Sequence, residues 1–218
     1  MSLASIPITP LAPEDVAISE EEILSDLLYP ETPRSPRMGD AVGSALAFAE
    51  RSPETTRTRL VTWQDPLPAA RAAAELPGLE YMRAVAAGQY PPPPIAVLLR
   101  MGPVAIEEGW VVFEGEPGEE HYNPIGMVHG GYAATLIDSA IGCAVHTTLP
   151  AGSGYSSLTL ETKFVRPITR ETGRIRAEAQ VLHRGRRQAT GEARLYDATS
   201  GKLLAHGTST CLIVGEAA

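Results

Sequence analysis

The run Asn123-Pro-Ile-Gly-Met-Val-His129-Gly130-Gly131, followed nine residues after the histidine by Asp138, holds the residues best suited to chemistry in this 218-residue sequence. Two glycines at the start of a helix leave backbone N–H groups without side-chain cover, and the positive end of the helix dipole reinforces them. Such groups can polarise a carbonyl oxygen as an oxyanion hole does. The plainer reading is a Gly-Gly that ends a loop, with His129 fixing that loop by side-chain-to-backbone hydrogen bonding. Asp138 is a candidate base or nucleophile. At 100° per residue it shares a helix face with Gly131, Thr135 and Gly142, the one acid among small residues. That face suits contact with a helix or a ligand better than solvation, and a lone acid in such a contact is a functional candidate.

Positioning these residues requires a helix and a surface for it to pack on. From Gly130 onward, Ala133, Ile137, Ala140 and Ala144 form an apolar stripe flanked by Ala134, Leu136, Ile141 and Val145, which predicts packing on a sheet. Val104 to Ile106 and Trp110 to Glu114 flank Glu107-Glu108-Gly109, the pattern of a hairpin with Gly at a turn position. Beyond the helix, Leu158, Leu160 and Phe164 are expected on one face of a strand, and Ile175, Ala177, Ala179 and Val181 alternate with Arg174, Arg176, Glu178 and Gln180. Ala189, Ala193 and Leu195 continue the alternation after a turn at Gly185, and Leu203 to Val214 follows a turn in DATSGK. The predicted order is two strands, one long helix, then four half-buried antiparallel strands.

Sixteen of the 19 prolines precede residue 124, which places the regular core in the second half. Residues 1–58 read as an acidic, Pro-interrupted, loosely ordered leader with one helix candidate, SEEEILSDLL, where Ser19 and Glu22 can form a capping box. Residues 59–94 predict two short helices, starting at Asp65-Pro66 and Pro77-Gly78, then a polyproline spacer over Pro91 to Pro94 that leads through IAVLLR into a core domain of residues 95–218. With 44% hydrophobic residues the chain can bury that core, and 18 Lys+Arg against 26 Asp+Glu, a charge of −8, argue against a nucleic-acid or anionic-membrane partner. The first 33 residues carry neither Lys or Arg nor a long apolar run, so no export signal is expected. The most membrane-like stretch, Gly130 to Thr148, contains Asp138, which would cost about 3 kcal/mol in a bilayer helix. Cys143 and Cys211 lie in apolar settings and read as buried, reduced thiols of a cytoplasmic protein. His121, His146, His183 and His206 have no ligand spacing, so no metal site is predicted, and GxSxG, P-loop and GxGxxG motifs are missing.

NPIGMVHGGYAATLID, Asn123 to Asp138, resembles the signature of the hotdog-fold thioesterases of the phenylacetate-degradation (PaaI-type) family, and SSLTLETKFVRP resembles the strand that follows the central helix there. The resemblance covers roughly residues 91 to 214. It implies an α+β hotdog fold, a six-stranded antiparallel sheet wrapped around one long central helix, here with a partly helical N-terminal extension. It also implies hydrolysis of an acyl-CoA thioester to a carboxylic acid and CoA with no cofactor. By the same resemblance Asp138 activates water or attacks the thioester, the Gly130 N–H polarises its carbonyl, Asn123 helps hold the carbonyl region, and Ser157, counting back from Pro167, positions the water, with Ser156 the alternative. His129, Gly131 and Arg166 are assigned to substrate binding. Lys163, Arg166, Arg170, Arg184, Arg186 and Arg187 could meet the phosphates of CoA, with Arg166 in FVRP the best of them, or could be solvated strand-end charges.

Gly130 and Asp138 are eight residues apart, about 12 Å along one helix at 1.5 Å per residue. One thioester carbonyl cannot meet both, and the small face lets two copies of the helix approach antiparallel about a twofold axis. A homodimer with shared active sites is therefore expected, and the resemblance implies two equivalent sites per dimer and often a dimer of dimers. Two further readings are a hotdog hydratase or dehydratase, which needs a His and an acid converging on the substrate's α and β carbons, and a non-catalytic acyl-CoA-binding regulator. The spacing and the presence of Asp138 favour hydrolysis.

Overall fold

The structure is a computed structural model that describes residues 55–215; the SEEEILSDLL helix candidate lies outside them. Proline sets the entry to each N-terminal helix. Helix α1 (Leu67–Glu75) follows Pro66, and its Leu67 N–H donates to the Asp65 carboxylate at 3.0 Å. Pro77 then redirects the chain into α2 (Gly78–Ala86), which begins where a side chain would not fit: a Cβ on Gly78 would overlap the His146 carbonyl oxygen. The Gly78 N–H donates to the Leu149 carbonyl at 3.0 Å, fastening α2 to the chain beyond the central helix. Pro93 is still extended, Pro94 already opens α3 (Pro94–Leu99), and Arg100 ends that helix in the left-handed region at φ 49°. Ala96 of α3 and Met101 just after it belong to the hydrophobic core, in line with a core domain that starts at residue 95.

Six strands follow: β1 (Met101–Glu107), β2 (Trp110–Gly115), β3 (Ser153–Phe164), β4 (Ile175–Arg184), β5 (Gln188–Asp197) and β6 (Leu203–Gly215). They form one antiparallel sheet in the order β1-β2-β4-β5-β6-β3, with β1 and β3 at its edges. The β1–β2 turn runs through Gly109 at φ 71°, the left-handed conformation that glycine adopts without cost. Between β2 and β3 comes the long helix α4 (Gly130–His146). Its Ala133, Leu136, Ile137, Ala140, Ile141 and Ala144 are buried in one cluster with Val111 and Phe113 of β2, Ile175 and Ala177 of β4, Leu195 of β5 and Ala205 of β6. Each buried Leu or Ile stabilises the fold by about 1.5–3 kcal/mol, so the apolar stripe suffices to seat α4 on the sheet. A six-stranded antiparallel sheet around one long helix is the hotdog arrangement, in the predicted element order.

Strand β3 departs from strict alternation. Its register against β6 shifts between Ser157, opposite Cys211, and Thr159, opposite Thr210, so Leu158 is the residue taken up by a bulge. Tyr155 and Ser157 before the bulge and Phe164 after it consequently all meet α4. The expectation that Leu158, Leu160 and Phe164 share a half-buried face is corrected: Leu158 sits in the bulge, and the three are 47%, 39% and 59% exposed. Of the two thiols, Cys211 is buried and Cys143 only half-buried. Among the described residues no helix is long and apolar enough to cross a membrane.

Candidate active site

Because the stripe facing the sheet fixes the rotation of α4, Asp138 emerges on the side towards β3, half-buried at its edge. There the Ser157 hydroxyl donates to Asp138 Oδ1 at 2.9 Å. Ser156 pairs opposite Leu212 and points to the other face of the strand. The structure thus brings Ser157 and not Ser156 to the carboxylate.

At the other end of the helix His129 is the N-cap, with its Nδ1 accepting the Gly131 N–H at 2.9 Å. The imidazole therefore performs the loop-fixing task, and Gly131 loses its free donor to it. The Gly130 N–H has no acceptor among the described residues, as expected of an orphan first-turn donor. The loop before it is organised by Asn123, whose Oδ1 accepts the N–H groups of Ile125 and Met127, each at 3.1 Å, while its backbone N–H donates to Met127 O at 2.7 Å. Two links anchor this loop to the rest of the fold: Val128 N–H to Ile168 O at 2.9 Å, and His129 N–H to His121 O at 2.8 Å. The amide nitrogen of Asn123 is left unused among the described residues.

The basic residues are dispersed. Arg166 donates to the Leu203 carbonyl at 2.5 Å, Lys163 pairs with Glu161, and Arg170 pairs with Glu171 at 3.0 Å and Glu119 at 3.8 Å. Arg184 ends β4, and Arg186 and Arg187 lie in the turn to β5. All six are exposed.

One group near the site escaped the sequence reading. Tyr155 lies across Gly142, and its ring centroid is 5.8 Å from that of His146, which meets Tyr81 of α2 edge-on at 5.6 Å. Desolvation, only partly offset by a hydrogen bond with Tyr155, pushes the neighbouring Cys143 thiol up to about 12. The same burial holds Tyr155 well above, and His146 below, their ordinary ranges. Gly142 and His146 stand four and eight residues after Asp138, and Tyr155 two before Ser157; those spacings were the available signal.

A helix held in one antiparallel sheet, with an acid at mid-helix and glycines at its start, defines the class as hotdog. Residues 125–204 match the Thioesterase superfamily. Over 114 residues the chain is 32% identical to acyl-coenzyme A thioesterase 13 of Homo sapiens, covering 52% of this chain and 80% of that one. A phenylacetic acid degradation-related protein of Ralstonia eutropha JMP134 is 29% identical, with 61% of this chain and 98% of that one covered at a TM-score of 0.55. The PaaI protein of E. coli, 21% identical over 66% of this chain and 99% of its own, shares the fold at a TM-score of 0.55. This chain belongs to the thioesterase superfamily and is a thioester hydrolase.

Proposed function

We propose that the chain hydrolyses acyl-CoA thioesters, with Asp138 as general base. The observation that carries this reading is the Ser157–Asp138 hydrogen bond on the open side of α4. It orients the carboxylate and leaves its second oxygen for a water. In the reaction Asp138 removes a proton from that water as its oxygen bonds to the thioester carbon, and the carbonyl oxygen becomes an oxyanion. The intermediate then collapses by breaking the C–S bond; the thiolate of CoA takes the proton back from Asp138, and the acid is released. The oxyanion is met by the Gly130 N–H of a second copy, since the two groups of one helix are about 12 Å apart. The Asn123 amide nitrogen is a second donor at the same helix start. Arg166 and Lys163, exposed beyond the same edge of the sheet, meet the phosphates of CoA.

A second copy is supported by β3 itself. A 12-residue edge strand with exposed Leu158, Leu160 and Phe164 is a surface that an isolated subunit rarely leaves uncovered. The hydratase reading has less support, because His129 is turned to the Gly131 N–H and the partner of Asp138 is a serine. Free-thiol release from a series of acyl-CoA substrates tests the proposal. Wild type turns over at least one of them, and Asp138→Asn lowers kcat by about 10²–10⁴ with KM little changed, because an amide accepts no proton. An Asp138→Asn enzyme within about threefold of wild type would rule out the general-base role.

A further inference from the structure

Two aromatic rings lie across glycines of α4, one on each side of Asp138. A Cβ at Gly130 would stand 2.9 Å from the Phe164 ring, and a Cβ at Gly142 would stand 2.5 Å from the Tyr155 hydroxyl and 2.6 Å from its ring. On the helix rise Gly142 is about 6 Å beyond Asp138, whereas Gly130 is about 12 Å before it. The two ends differ in character. Phe164 is exposed and flanked by exposed Lys163 and Arg166, while Gly142 is buried beneath Tyr155.

Behind Tyr155 the rings continue through His146 to Tyr81, and Tyr81 stands 5.6 Å from Tyr90. His146 is 7% exposed and neither ring nitrogen has a hydrogen-bond partner among the described residues. The imidazole therefore serves as a ring held between rings. Helix α2, which supplies Tyr81, is locked in place by the Gly78 N–H to Leu149 O bond, and α1 by the Gly152 N–H to Ala74 O bond at 2.8 Å.

We propose that Tyr155 ends the acyl pocket one helical turn beyond Asp138, restricting the enzyme to short acyl chains or a single ring, and that α2 holds Tyr155 there through Tyr81 and His146. This rests on the acyl-CoA reading and adds which residue sets the acyl length. The reacting carbonyl sits at Asp138 and Ser157 of one copy and Gly130 of the other, and the charged CoA must leave towards solvent and the cations beside the Phe164 ring that covers that Gly130. The acyl group then runs the other way, along Gly142, and meets the Tyr155 ring. The bracing helix precedes residues 125–204, so this limit is supplied by a segment outside the superfamily match.

The test is kcat/KM across straight-chain substrates from acetyl-CoA to palmitoyl-CoA. Wild type prefers the short members. In Tyr155→Val, which keeps a strand-forming residue, the long-to-short ratio rises at least about tenfold, the scale on which pockets discriminate single methylenes. Tyr81→Ala and His146→Ala shift the ratio in the same direction by smaller factors, and His146→Phe, which keeps a ring, restores the wild-type preference. Tyr155→Val that unfolds like wild type and keeps its preference overturns the pocket limit, while unshifted Tyr81→Ala and His146→Ala overturn the bracing. If Tyr155→Val does not fold, unshifted Tyr81→Ala and His146→Ala overturn the proposal by themselves. A wild type that neither binds nor cleaves any member overturns the acyl-CoA reading as well, an outcome distinct from turnover with unchanged preference.

Discussion

Ser156 and Ser157 are adjacent hydroxyls on one strand, and only Ser157 reaches Asp138. A hydrogen bond to a charged group is worth about 1.5–3 kcal/mol, so Ser157→Ala is expected to lower kcat about ten- to a hundredfold. Ser156→Ala, on the opposite face, should stay within about twofold, the range of ordinary surface changes. Steady-state kinetics of the two variants decides the matter, and the reverse ranking would mean that the water is held from the other face. His129 belongs to the same scale. Its type and place before Gly-Gly suggested either a ligand contact or a loop fastener, and the Nδ1 bond to the Gly131 N–H makes it a helix cap.

Among the elements, α4 carries the proposed base, Asp138, and its last turn carries a buried titratable ring, His146. His146 is held below its ordinary value of 6.5 by desolvation, with the rings of Tyr81 and Tyr155 against it and neither of them a carboxylate that would favour the cation. When the folded value is depressed, the unfolded chain binds the proton first as pH falls. The stability this residue contributes is therefore present above about pH 6.5 and declines as pH drops below it. Melting curves between pH 7.5 and 5.5 should show wild type losing Tm faster than His146→Phe. Parallel pH profiles for the two proteins would mean that the ring is not buried neutral.

At the scale of the whole molecule the edge strand β3 and the separation of Gly130 from Asp138 point to one arrangement, two copies with antiparallel α4 helices. Gly130→Pro removes the proposed oxyanion donor at a helix position that tolerates proline, and His129 before it is already extended at φ −60°, ψ 136°. Gly130→Pro and Asp138→Ala should each be inactive alone. Mixed after dissociation and reassociation, half of the dimers are hybrids with one intact site of two, so about a quarter of wild-type activity returns. Well-folded hybrids, verified by affinity tags on each copy, that remain inactive would place both groups in one subunit's site and refute the shared arrangement.

Residue types and periodicity determined the element order, the sheet-facing stripe of α4 and the pairing of an acid with a glycine-initiated helix, because these are local patterns that repeat at 3.6 or 2 residues. The entry points of α1 and α2 were legible for the same reason, since proline acts on its immediate neighbours. The bulge at Leu158 was not legible. Strict alternation puts Ser156 with Leu158 and Leu160, whereas counting back from Pro167 favours Ser157, and the additional residue that pairing with β6 reveals in β3 is why Ser157 shares a face with Leu160. Nor could the ring stack be read from the chain, because Tyr81, His146 and Tyr155 come from a helix, the end of another helix and an edge strand, and which of them touch depends on how α2 docks. Local chemistry chose the catalytic candidates; packing between distant segments decided which hydroxyl and which ring meet them.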